Sequence, residues 1–82
     1  MTGEQDITQG TSWQQVTGAT GAIILQNQSH SNALQYYIGT VSPGAQTGIN
    51  LAALSEHTPN IRASEALYAR SLKADVRLAW SE

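Results

Sequence analysis

A chain of 82 residues with no cysteine and only two histidines has room for one thin-cored domain, and no material for a disulfide staple or a cysteine–histidine zinc site. Four basic against six acidic side chains, a formal charge of −2, do not make the positive surface that a phosphate backbone requires, so no nucleic-acid partner is expected. The longest apolar run, Ala22–Leu25, falls far short of the roughly 20 residues of a membrane span, and no basic segment followed by an apolar one opens the sequence; a soluble protein made in the cytoplasm is the expectation.

Residues 1–12, MTGEQDITQGTS, are polar and carry one strong hydrophobe, Ile7, too little to anchor a packed element alone. They read as an N-terminal arm, either disordered or ordered by clasping another subunit. From Trp13 the texture changes to short hydrophobic runs cut by turn residues, which predicts a domain over residues 13–82. Trp13–Thr17, the glycine-containing turn at Gly18-Ala19-Thr20-Gly21 and Ala22–Asn27, with β-branched Ile23 and Ile24, predict a hairpin. Asn27-Gln28-Ser29 matches the N-glycosylation pattern, a match read as accidental in a chain without a signal peptide.

A polar turn at residues 28–32 leads into Leu34–Val41, a strand with Leu34, Tyr36, Ile38 and Thr40 on one face and Gln35, Tyr37, Gly39 and Val41 on the other. An aromatic on each face suits a strand with one tyrosine in the core and the other on the surface or at a subunit contact. Ser42-Pro43-Gly44 ends it as a turn with proline at the second position, and Gln46–Gly48 continues the loop. Ile49–Leu54 fits neither a helical nor a strand period, leaving a short strand or a turn, and Pro59 confines the strand Asn60–Ala63 to an edge.

The last stretch, ALYARSLKADVRLAWSE, sets helix propensity against strand periodicity. Val76, Leu78 and Trp80 alternate with Arg77, Ala79 and Ser81, and a terminal helix would leave the earlier strands short of partners. The prediction is a closing hairpin of ALYARSL and DVRLAWSE turned at Lys73-Ala74-Asp75, with Arg70 and Arg77 on its facing strands near Glu65 and Asp75. The whole reads as an all-β fold: a small antiparallel β-sandwich or barrel of about six to seven short strands.

Catalytic chemistry finds little support. His30 and His57 lie in polar loops, no G-x-S-x-G elbow occurs, and the carboxylates Glu4, Asp6, Glu56, Glu65, Asp75 and Glu82 lack the spacing of a calcium loop. The glycines follow neither the Walker nor the dinucleotide-binding pattern. The expectation is a protein that is not an enzyme, with no catalytic residue, metal or cofactor. Trp13 and Trp80, near the ends of the first and last strands of the domain, are expected at one seam, filling the core or offering an aromatic platform. The candidate interface is Ile7, Trp13, Tyr36, Tyr37 and Trp80.

GAIILQNQS (21–29), the SPG turn followed by Gly48, and LYARS (67–71) before DVRLAW (75–80) resemble small β-sandwich virion structural proteins of tailed bacteriophages. These show a strand ending in Q-N, a turn, a strand, P-x-x-G, and a Y-A-R-S strand before a final one. The resemblance covers residues 13–82 and departs between Asn50 and Glu65, where the loop is longer and more polar. It implies that Asn27 closes a turn with its side chain. It also implies a capsid decoration or cement protein, or a head–tail collar, knob or fibre component, located in the virion, forming homo-oligomers and docking on capsid, neck or tail proteins. The alternative is a carbohydrate- or host-surface-binding sandwich whose aromatic rings stack on sugars.

Overall fold

Burial follows the period-2 patterns that mark the strands. In the computed structural model Val76, Leu78 and Trp80 are buried around an exposed Arg77, and Leu67 and Ala69 are buried between half-buried Tyr68 and Arg70. The structure describes residues 2–18, 20–40 and 48–81. Val41, the Ser42-Pro43-Gly44 turn, Ala19, Gln46 and Glu82 lie outside the described residues. The described residues form an all-β fold of ten short strands: β1 (Thr2–Ile7), β2 (Gln14–Val16), β3 (Gly21–Ala22), β4 (Ile24–Asn27), β5 (Leu34–Gly39), β6 (Ile49–Leu51), β7 (Glu56–His57), β8 (Asn60–Ile61), β9 (Ala66–Arg70) and β10 (Val76–Ser81).

Two antiparallel four-stranded sheets, β1-β10-β4-β7 and β2-β9-β5-β6, enclose one hydrophobic core, and β3-β8 forms a third, two-stranded ribbon. The two sheets are halves of a single ladder folded across its middle. Each strand of the first sheet is joined through a short corner to the strand in the same place in the second: β1 to β2 through 8–13, β10 to β9 through 71–75, β4 to β5 through 28–33, and β7 to β6 through 52–55. The register survives the fold in two of the three ladders, and shifts by three residues between β4-β7 and β5-β6. Gly3↔Trp80 and Gln14↔Ala69 belong to one antiparallel register, as do Leu78↔Asn27 and Gln35↔Arg70. At the opposite end β3-β8 continues the register of the β4-β7 ladder, and Ile23, between β3 and β4, and Ile61 of β8 are buried in the core.

Backbone groups leave the ladder where the sheet folds, and buried polar groups must still find partners. The two buried polar side chains among the described residues, Asn27 and Ser71, both stand at that line. Asn27 Nδ2 donates to the carbonyls of Asn32 (2.8 Å) and Leu51 (3.1 Å), while its Oδ1 accepts from the Ser29 amide (2.9 Å). Asn27 therefore does close a turn, and its amide nitrogen is buried and engaged, which removes it as a glycan acceptor. Ser71 Oγ donates to Ala74 O, and Asp75 Oδ1 accepts from the Gln9 amide (2.7 Å), linking the 71–75 and 8–13 corners.

Several expectations change. Residues 2–12 are not an arm: Thr2–Ile7 pairs along its whole length with β10, and Ile7 is fully buried. Backbone pairing supplies what one hydrophobe could not. The hairpin of Trp13–Thr17 with Ala22–Asn27 is absent, because β2 pairs with β9. The closing hairpin is absent too, since β9 and β10 are both strands but lie in different halves of the folded sheet. Arg77 consequently meets β1, with Asp6 at 3.1 Å and Glu4 at 3.7 Å, in place of Asp75 or Glu65.

Candidate functional site

The fold divides the five candidate interface residues. Ile7, Tyr36 and Trp80 face the core, at 0%, 4% and 7% exposure, so they are not surface for a partner. Trp13 and Trp80 do not share a seam: Trp80 lies inside the first sheet, whereas Trp13 precedes β2 of the second. Trp13 and Tyr37, by contrast, meet on the outer side of the second sheet, their ring centres 6.4 Å apart and tilted by 59°.

Alternation builds this outer face. Leu34 and Tyr36 of β5 and Leu67 and Ala69 of β9 point inward, which turns Gln35, Tyr37, Tyr68 and Arg70 outward. Tyr37 lies opposite Tyr68, and Tyr68 opposite Gln15. The Arg70 guanidinium carbon stands 4.4 Å from the centre of the Trp13 ring, a cation–π contact. Its Nε donates to Gln35 Oε1 (2.9 Å) and its Nη1 to Thr11 O (3.1 Å). Space for the rings comes from glycine. A Cβ at Gly39 would stand 2.6 Å from the Tyr37 ring, and one at Gly48 would stand 2.5 Å from both the Trp13 ring and the Tyr36 carbonyl oxygen. Both rings are thereby laid down along the sheet. Tyr68 and Arg70 escape a search for hydrophobes, although their alternation with buried Leu67, Ala69 and Ser71 is readable in LYARS.

The outer face of the first sheet has a different chemistry. The row Glu4↔Ala79↔Gln26↔Glu56 crosses all four strands, and small Ala79 forms the floor of an open depression of about 540 Å³ flanked by Glu4, Ile24, Gln26, Glu56 and Ser81. Glu4 and Asp6 share Arg77. Glu56 has no ion pair among the described residues.

Neither histidine joins a constellation of reactive groups. His30 is exposed in the 28–33 corner. His57 is half-buried, and its Nδ1 lies 2.8 Å from the Tyr36 hydroxyl, a hydrogen bond from β7 of the first sheet to β5 of the second. Burial pushes the Tyr36 hydroxyl above the ordinary tyrosine range. This pair ties one open side of the sandwich, as Gln5 Nε2 to Gln15 O (3.1 Å) and Gln14 Nε2 to Thr8 O (3.1 Å) tie the other. No group of three or more histidine, aspartate or glutamate side chains suited to a metal ion occurs among the described residues. Comparison with protein-family models, curated proteins and solved structures returned no match.

Proposed function

We propose that this chain is a non-enzymatic structural component of a tailed-bacteriophage virion, a capsid decoration, cement or head–tail collar protein that works by burying one sheet face on a protein partner. The observation that carries this reading is the cluster of Trp13, Tyr37 and Arg70 on the outside of the second sheet. Tryptophan, tyrosine and arginine are the side chains in which protein-interface hot spots are enriched, and here they are held in place before any partner arrives, which reduces the ordering cost of binding. The motif resemblance over residues 13–82 supplies the virion context.

The same cluster favours a protein partner over a sugar. Stacking on a sugar ring requires an open aromatic face, and Arg70 covers one face of Trp13 at 4.4 Å while Tyr37 stands tilted beside it. The test is incorporation of Trp13→Ala and Tyr37→Ala into particles, after circular dichroism has shown that the variants fold. Loss of the protein from purified virions is expected. Full occupancy by both variants refutes the reading, and tryptophan quenching by a glycan panel would install the carbohydrate-binding alternative.

A further inference from the structure

The two outer faces are chemically opposed. Strands β2, β5, β6 and β9 contain no carboxylate and a single charge, Arg70, whereas β1, β4, β7 and β10 contain Glu4, Asp6 and Glu56 against Arg77. Within the protein Arg77 already serves Glu4 and Asp6. Among the described residues Arg70 bonds to neutral oxygens and packs on an indole, and Glu56 meets no cation. Among the described residues, then, the aromatic face presents a cation without a carboxylate and the depressed face a carboxylate without a cation.

Two copies in the same orientation satisfy both. We propose that copies of this chain associate head to tail, the Trp13–Tyr37–Arg70 face of one seating in the Ala79-floored depression of the next, with Arg70 directed at Glu56. A face-to-face twofold pair would instead set Arg70 against Arg70, or acidic surface against acidic surface. Size is adequate. The two larger dimensions of the molecule, 31 and 26 Å, enclose a face of the same order as the roughly 800 Å² that each partner contributes to a standard interface. Because the contact joins unlike surfaces, each copy keeps one free face, and the contact propagates into a ring or a filament.

This inference rests on the assembly reading above, and charge reversal in the purified protein tests it separately from particle incorporation. Sedimentation velocity of the wild type is expected to show concentration-dependent association. Glu56→Arg and Arg70→Glu should each weaken it roughly tenfold or more. The double variant, and an equimolar mixture of the two single variants, should recover it, since each restores opposite charges at the contact. The Glu56 side chain is exposed and has no hydrogen bond or ion pair among the described residues, so Glu56→Arg isolates the contact even where Arg70→Glu disturbs packing around Trp13. A wild type that stays monomeric up to about millimolar concentration overturns the proposal. So does association that Glu56→Arg leaves unchanged, or that the double variant fails to recover. With any of these results, variant-sensitive incorporation into particles would still support docking on a different virion protein.

Discussion

Asn27 shows how much one side chain can carry in so small a protein. It stands opposite Leu78 in the ladder, yet it is fully buried and uses three hydrogen bonds to tie the 28–33 corner to the end of β6. Asn27→Ala strands two carbonyls and an amide, and it should lower stability by about 2–4 kcal/mol in urea denaturation. A serine at that position should recover only part of the loss. Tyr36 provides a pH-dependent counterpart. Its hydroxyl titrates above the ordinary value of 10.0 because burial disfavours the phenolate. The sign follows: stability from Tyr36 is complete below 10.0, where both states hold the proton, and is lost as pH rises through the folded-state value, since the unfolded chain ionises first. Denaturation midpoints should therefore fall on the alkaline side of pH about 10, and Tyr36→Phe should flatten that fall at the cost of the bond to His57.

At the level of strands, β1 carries more of the fold than its composition suggests. It covers β10 from Thr2 to Ile7 and places a fully buried isoleucine in the core. Ile7→Ala should cost about 2–5 kcal/mol. Deletion of residues 1–12 should unfold the protein or leave it marginal, because β10 would lose its backbone partners on one side. Thermal melts followed by far-ultraviolet circular dichroism read both outcomes, and a truncated chain with an unchanged melting temperature would contradict the role assigned to β1. The strand patterns themselves were legible: Val76–Ser81, Ala66–Arg70 and Leu34–Gly39 fall inside the stretches that alternation marks. Their partners were not. Period-2 alternation tells which way a side chain points relative to its own sheet, and it is silent about which strand lies alongside.

The molecule as a whole depends on contacts between residues far apart in the chain. β1 and β4 pair with β10, and β2 and β5 with β9, so in each sheet two strands from the first half of the chain flank one from the C-terminal third. β10 occupies an interior place in the first sheet, and β9 an interior place in the second. Refolding should accordingly be slow for this size, on the order of milliseconds to seconds in stopped-flow fluorescence of the two tryptophans. Removal of residues 76–82 should abolish cooperative folding. A chain lacking β10 that still melts cooperatively would mean that the two halves of the folded sheet are not interdependent.

What the residues determined without reference to the fold was local: the absence of long apolar or basic segments, the all-β class and the position of most strands. Tertiary structure alone decided that an apparent arm is a strand, that the expected closing hairpin is a corner of a folded sheet while β2 pairs with β9 in place of β4, and that Trp13 and Tyr37 reach a surface while Ile7, Tyr36 and Trp80 do not. The reason is physical. Secondary structure here follows from neighbours one or two positions away, whereas the faces exposed to a partner follow from registers set by backbone pairing across most of the chain, which side-chain pattern does not encode.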